Sequence, residues 1–475
     1  MMQIISNKFN SELLLEARAN LRLAIPSATS QLAEVGINSV NVVMMGLLGT
    51  QSLAAGALGV FTFFTALYIC AGTLEAVGAN VAQAFGAGKT EQVCLIASQG
   101  LWLAAALSFP GMILLWQGEA ILSLAGQEAS NVLIATTYLR AIMWGFPAVL
   151  GFWTLKSIAA ALNKPIFITF ILVAGLLLDI PVSYALIFGK FGLPALGLAG
   201  IGWATTLVFW LQFLAGINLF IFHPSFREYK IFRYLHKFDK VLFVEVFQTG
   251  WPLGLQLGSE TALFAVSVFI MGYFGTEILA AYEIAIQTAE FFLVMPLGIY
   301  YATLARVGQM VGKQDLSSVK RSAFVGFSFS VLFASSVALI VWLFPEKIVA
   351  IYLDSSNPEN TKTVETAISF LDWAAVLQLF YSIQATAISA LIGIKDTRLP
   401  MLLSVLINWG FGLSVCYITG FVFGWGATGI WLGLTLAPAI AGIIYIYRFY
   451  SVVPSQLASV QEDEESAQIH LEVVQ

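Results

Sequence analysis

Long apolar runs separated by short polar connectors follow one another along the whole chain. A helix needs about 20 apolar residues to cross a hydrocarbon layer of roughly 30 Å. Twelve runs meet that length: 23–47, 53–80, 92–116, 132–155, 165–188, 193–222, 241–272, 278–303, 321–344, 365–392, 399–421 and 427–448. The pattern predicts an all-α polytopic membrane protein with twelve transmembrane helices. Prolines fall inside several runs (Pro26, Pro110, Pro147, Pro181, Pro252, Pro296 and Pro438). Each frees a backbone carbonyl and bends its helix, which a bundle tolerates. Ahead of the first run, Leu13 to Leu15 sit among Lys8, Glu12, Glu16 and Arg18 and read as a short interfacial helix.

The two halves repeat each other. A shift of 226 positions carries Glu34 onto Glu260, Pro26 onto Pro252 and Met45-Gly46 onto Met271-Gly272. It also carries Gly49-Thr50 onto Gly275-Thr276, Leu53-Ala54-Ala55 onto Leu279-Ala280-Ala281, and Val81, Gln83 and Gly86 onto Val307, Gln309 and Gly312. A weaker match at a shift of 229 joins Gly197, Gly200 and Ile201 to Gly426, Gly429 and Ile430. Six spans is an even number, so both copies enter the membrane in the same direction. Such a parallel repeat has its axis along the membrane normal and its site near midplane between the halves. The expected organisation is an N-terminal segment 1–22, an N-lobe 23–222, a linker 223–240, a C-lobe 241–448 and a tail 449–475.

Composition agrees with a membrane class. The chain is 59% hydrophobic and 10% charged, with mean hydropathy +0.85, against about a quarter charged in soluble domains. Lys and Arg total 22. With the N-terminus inside, the cytoplasmic set is Lys8, Arg18, Arg22, Lys89, Lys156, Lys164, Arg227, Lys230, Arg233, Lys237, Lys240, Arg306, Lys313, Lys320, Arg321, Lys395, Arg398 and Arg448. The outer set is only Lys190, Lys347 and Lys362, and Arg140 remains inside the fourth span, where a salt bridge to a neighbouring acid is expected. This asymmetry predicts cytoplasmic termini in a plasma (inner) membrane protein. It also explains the basic linker 223–240 without a nucleic-acid partner. The net charge of −5 owes much to the tail around Glu462-Asp463-Glu464-Glu465. Cys70, Cys94 and Cys416 lie in apolar runs without metal or disulfide spacing and read as buried hydrophobes.

The candidate chemistry is polar residues at bilayer depth, where charge is expensive and marks ion or substrate paths. The first span carries Gln31, Glu34, Asn38 and Asn41 at spacings of three, four and three, on one helical stripe. Glu34 lies about halfway across. Ionised and facing lipid, it would cost about 2.5–3.5 kcal/mol, so it is expected to face a cavity or be protonated. The seventh span repeats the theme with Gln256 and Glu260, and the eighth has Glu283, Gln287 and Glu290 on one face. Asp179 precedes Pro181 in the fifth, Tyr381 and Gln384 lie in the tenth, and Asn408 in the eleventh. Phe61, Phe64 and Trp373 are candidates to line a chamber for planar ligands. There is no ATP-binding glycine loop, nucleophile triad or zinc spacing, so the energy source is expected to be an ion gradient and no enzyme is expected.

Several segments resemble the multidrug and toxic compound extrusion (MATE) family, most closely its NorM-like branch. They are Ile25-Pro26, Val42-Val43-Met44-Met45-Gly46-Leu47-Leu48-Gly49, Gln83-Ala84-Phe85-Gly86-Ala87-Gly88, Phe188-Gly189-Lys190-Phe191-Gly192-Leu193-Pro194-Ala195-Leu196-Gly197, Gly202-Trp203-Ala204-Thr205 and Gly393-Ile394-Lys395-Asp396-Thr397. The resemblance implies two lobes around a V-shaped chamber and efflux of organic cations in exchange for Na⁺ or H⁺. The family's C-lobe cation glutamate falls on Glu260. Its N-lobe aspartate falls on Asn41 and its span-ten aspartate on Tyr381, so both carboxylates are missing here. Asp179 falls where DinF-like members carry an N-lobe aspartate, with Gly175 in place of their asparagine. The acids are then redistributed to Glu34, Asp179, Glu283 and Glu290. The combined expectation is a secondary active efflux antiporter for small cationic or amphipathic organic compounds, monomeric in the lipid bilayer. It needs no cofactor beyond a coupling Na⁺ or H⁺, with Na⁺ transiently at Glu260. Proton or cation coupling is assigned to Glu260, Glu34, Asp179, Glu290 and Glu283, and substrate contact to Gln31, Asn38, Asn41, Gln256, Gln287, Tyr381, Gln384 and Asn408. The alternative is a flippase for lipid-linked saccharides, which predicts a more cationic chamber and extra spans.

Overall fold

A computed structural model describes residues 2–353, 357 and 360–474 of the chain. Twelve long helices fill the described residues. The first six are α1 (Met2–Leu47), α2 (Thr50–Gly86), α3 (Thr90–Trp116), α4 (Ala129–Ala161), α5 (Pro165–Phe188) and α6 (Leu198–Phe222). The second six are α7 (Lys240–Tyr273), α8 (Thr276–Gly312), α9 (Leu316–Leu343), α10 (Thr361–Gly393), α11 (Arg398–Val422) and α12 (Ala427–Val474). Eleven of them are long and apolar enough to cross a membrane among the described residues. The exception, α1, carries the polar stripe from Gln31 to Asn41. The helices outrun the apolar runs, as in α8, which continues to Gly312 rather than stopping near 303. Hydropathy senses only the part in hydrocarbon, whereas the backbone ladder continues beyond it.

Local irregularities have local causes. Pro147 lacks the N–H that would continue the ladder in α4, and the chain tightens into a 3₁₀ turn at Met143–Gly145. In α11 the winding loosens to π-helix at Leu406–Gly412 and again at Ile418–Val422. The repeat is visible in the backbone as well. Gly49 and Gly275, equivalent under the 226 shift, open α2 and α8 with φ of 107° and 118°, a region closed to side chains. Short helices Gly118–Leu124 and Pro345–Tyr352 follow α3 and α9.

The described chain forms two compact units: Met1–Ala28 with Ser259–Gln475, and Thr29–Gly258. The chain passes from one to the other inside α1 and returns inside α7, so the first stretch of each of these helices packs in the opposite unit from its remainder. In the first unit, Leu23 and Ala24 of α1 pack with Ile299, Ala302 and Ala305 of α8. A Cβ on Gly298 would fall on the Ala24 carbonyl. In the second unit, the equivalent Gly72 of α2 lies against α7, where a Cβ would meet the Leu253 carbonyl at 2.8 Å. The same small-residue close approach is used twice.

Two expectations are corrected here. Leu13 to Leu15 do not form a separate interfacial helix, because α1 is continuous from Met2. Two of its charged residues find partners: Glu12 pairs with Arg321, and Glu16 takes both Arg306 (2.5 Å) and Ser322 (2.8 Å). Arg140 is not a cation enclosed by the fourth span. It is half exposed, and it makes the expected salt bridge to a neighbouring acid, Glu119 of the short helix Gly118–Leu124 at 3.3 Å, with its guanidinium over Trp116. The three cysteines are buried, as expected. The side chains of the acidic tail, Glu462 to Glu465, lie outside the described residues.

Candidate functional sites

In the first unit the site is built on Glu260 of α7. Its Oε1 accepts from Gln384 Nε2 at 3.1 Å and from Ser404 Oγ at 3.3 Å, and its Oε2 accepts from the Tyr381 hydroxyl at 3.4 Å. Tyr381 and Gln384 are three apart on α10, and Ser404 and Asn408 four apart on α11, so each pair shares a helix face. Asn408 Nδ2 donates to Ser404 Oγ at 3.2 Å, standing behind the hydroxyl that touches the carboxylate. Asn408 also lies within the π-helical stretch, a winding often found at functional sites. Trp409 fastens α11 to α7 through Ser259 (2.8 Å), and the Phe264 ring stands edge-on to Tyr381. These three neutral donors help to fix the position of the Glu260 carboxylate.

In the second unit Asp179 of α5 is fully buried, and neither carboxylate oxygen has a hydrogen-bond partner among the described residues. Ser183 follows one turn later, and the buried Tyr138 of α4 lies within electrostatic reach. A Cβ on Gly175 would collide with Gln212 of α6, so the space of the missing asparagine is filled from the neighbouring helix. Asn41 of α1 donates to Thr205 of α6 at 3.1 Å, while its Oδ1 is buried and unpartnered among the described residues.

The polar stripe of α1 divides. Asn41 turns to α6, whereas Gln31 and Glu34 converge on Lys156 of α4, whose Nζ lies 2.6 Å from Gln31 Oε1 and 2.7 Å from Glu34 Oε1. Lys156 is therefore a helix residue rather than a loop cation. It lies five residues inside α4, roughly 7.5 Å from its end. A counter-charge is thus supplied to Glu34. The face Phe64, Tyr68 and Trp153 adjoins this pair, with the Tyr68 and Trp153 rings stacked at 6.3 Å and the ammonium 5.7 Å from the Trp153 ring. Asn38 is half-buried on the same α1 face.

Glu283, Gln287 and Glu290 share an exposed face of α8, with Gln287 donating to Glu283 at 2.9 Å. Gln256 is buried, one turn before Glu260, but belongs to the second unit. Sequence reading missed Lys156, Ser404, Thr205 and Gln212. Only Lys156 left a signal, as a charge placed directly after an apolar run that had no polar turn to end it.

The MatE family pattern matches residues 26–185 and 252–418, one stretch in each half of the repeat. The chain is 34% identical to a probable multidrug resistance protein NorM of Synechocystis sp. over 439 residues, which cover 92% of this chain and 95% of that one. A probable multidrug resistance protein NorM of Pseudomonas aeruginosa is 35% identical over 454 residues, covering 95% and 93%. Among solved structures, the eukaryotic MATE transporter AtDTX14 superposes with a TM-score of 0.82 at 18% identity, covering 95% of this chain and 99% of that one. An outward-facing multidrug resistance MATE family transporter of the MOP superfamily gives 0.83 at 18% identity, covering 93% and 96%.

Proposed function

This chain belongs to the MatE family of multidrug efflux transporters, and on that premise we propose that it is an antiporter exporting a small organic compound in exchange for H⁺ or Na⁺. It is a multi-pass integral membrane protein and a transporter, not an enzyme. The observation that carries the coupling is Asp179. A fully buried carboxylate without a hydrogen-bond partner is very costly as a bare anion, so it is neutralised by a proton or holds a cation. Glu260 is the counterpart in the other unit, held among oxygen and amide groups that suit a proton or a hard monovalent ion. Each acid accepts its cation from outside and releases it inside. Substrate and cation then bias the same two states in opposite senses, which is what coupling requires. A compound of cationic or amphipathic character fits the acids and aromatic surfaces available. Both termini are cytoplasmic.

Reconstitution in proteoliposomes tests this reading. An imposed H⁺ or Na⁺ gradient is expected to drive substrate movement, and substrate to drive the reciprocal ion flux. Asp179→Asn and Glu260→Gln are each expected to lower gradient-driven transport at least about ten-fold while substrate binding persists. Unaltered gradient-driven transport in both variants, or transport with no accompanying ion flux, would overturn the assignment.

A further inference from the structure

We propose that the linker 223–240 is a strap that holds an anionic phospholipid of the adjoining leaflet, its phosphate against Arg233 and Lys237 and its acyl chains against Trp102 and Phe238. The segment is pinned to the second unit along α3, whose side chains hold its backbone carbonyls. Ser98 donates to Ile231 at 2.7 Å, Trp102 to Leu235 at 2.9 Å and Gln99 to Lys237 at 3.0 Å. The Tyr234 hydroxyl donates to Glu91 at 2.6 Å, and Phe226, Tyr229 and Ile231 are buried. The cations of the segment stay outside. Arg227, Lys230, Arg233, Lys237 and Lys240 are all exposed, and none of the five is in an ion pair among the described residues. Its two acids are engaged elsewhere: Glu228 with Lys164 at 3.4 Å, and Asp239 with the backbone N–H groups of Val241 and Leu242 at the start of α7.

Position relative to the membrane makes a lipid the occupant. α2 has 37 residues, about 55 Å of helix, against roughly 30 Å of hydrocarbon. Its closing turns and the opening turns of α3, around Lys89 and Glu91, therefore stand outside the hydrocarbon. The strap follows α3 from Glu91 to Trp102. There Trp102, 41% exposed, heads an exposed apolar stripe that α3 continues through Phe109, Ile113 and Trp116. Phe238, 54% exposed, stands edge-on to Trp102 at 6.1 Å, an aromatic pair of the kind that marks the water boundary of a bilayer. Lys237 directly precedes Phe238. Its ammonium and the Arg233 guanidinium lie 5.7 and 5.5 Å from the Tyr234 ring centre. A phosphate between them offsets the repulsion of two like charges held at one ring. The Trp102–Phe238 pair offers acyl chains an apolar surface beside it. A soluble anion would engage the cations alone, whereas an anionic phospholipid engages the cations and the rings together.

Native mass spectrometry of the purified, delipidated full chain, titrated with phosphatidylglycerol or phosphatidylcholine, tests the strap. The wild type is expected to bind phosphatidylglycerol at least about ten-fold more tightly than phosphatidylcholine. A juxtamembrane cation contributes about five-fold to anionic-lipid affinity. The double variant Arg233→Gln, Lys237→Gln is therefore expected to weaken phosphatidylglycerol binding at least about ten-fold and to leave phosphatidylcholine binding unchanged. The control Lys313→Gln, Lys320→Gln removes two cations of the same cytoplasmic set from the first unit and is expected to keep the wild-type affinity. Equal binding of the two lipids by the wild type, a comparison that needs no variant to fold, overturns the proposal. So does undiminished phosphatidylglycerol binding in the strap variant. An equal loss in both double variants would mark general surface charge and overturn it too. Inorganic phosphate in large excess is expected to leave the lipid bound; complete displacement would make this a soluble-anion site and sink the lipid assignment.

Discussion

Glu16 keeps its charge where burial works against it. Burial alone would raise its pKa, but the Arg306 guanidinium bonds to it and attracts it, Ser322 donates to it and Arg321 adds its field, so the carboxyl lies below its ordinary value of 4.5. It precedes the membrane span of α1. A folded-state pKa below the unfolded one contributes stability that is present above the ordinary value and lost as pH falls through the folded value. Glu16→Gln is therefore expected to lower the thermal midpoint at neutral pH, by the equivalent of about 3–5 kcal/mol if Arg306 is left buried and unpaired. It should also flatten the loss of stability on acidification. Superimposable stability–pH curves for the variant and the wild type would refute this. Single residues were legible in sequence to uneven depth. The acids announced themselves because charge in an apolar run is costly wherever it points. Their partners did not, because Lys156 and Ser404 are joined to them by packing between helices far apart in the chain. Tyr381 stands where the family resemblance put an aspartate, and its hydroxyl touches Glu260 there.

Helices were the easiest scale to read, since hydrocarbon thickness sets a minimum length that hydropathy detects directly. Their irregularities were not readable: no residue between Leu406 and Gly412 distinguishes π from α winding, and the loosened turns lie against α12, with Gly412 beside Gly433 and Ala437. The interlocked elements allow a paired test. Alanine at Gly72 or at Gly298 would press a methyl group into backbone, Leu253 in one unit and Ala24 in the other. Each substitution is expected to cost about 1–3 kcal/mol. The costs should be similar, because the repeat builds the two contacts alike. Gly46 has nothing within 4 Å of a Cβ, and Gly46→Ala is expected to be neutral or to stabilise by about 0.5–1 kcal/mol. Thermal denaturation of the three purified variants decides, and a Gly298→Ala protein as stable as Gly46→Ala would contradict the close approach.

At the scale of the molecule, the duplication was legible from Glu34 and Glu260, yet the compact units do not coincide with the two halves it marks out. Sequence similarity follows chain order, whereas packing exchanges Met1–Ala28 and the stretch from Lys240 to Gly258 between units. Orientation remains a matter of charge: the eighteen Lys and Arg on one side against three on the other predict that a C-terminal fluorescent reporter matures in the cytoplasm and a C-terminal phosphatase stays inactive. The opposite reporter pattern would invert the topology.

The exchanged helix starts also govern how the chain is made. A nascent protein that has emerged as far as the linker possesses six helices but no finished unit. The Gly72 face of α2 still waits for Leu253 and Gly254, and Ala24 has no Gly298 to meet. Translation of the second half completes both bodies together, so the duplication leaves the halves unable to mature separately. Expressed alone, residues 1–239 are expected to be degraded by membrane quality control, and co-expression of 240–475 to rescue them. A stable, protease-resistant first half would show that α2 does not need its late-arriving partner.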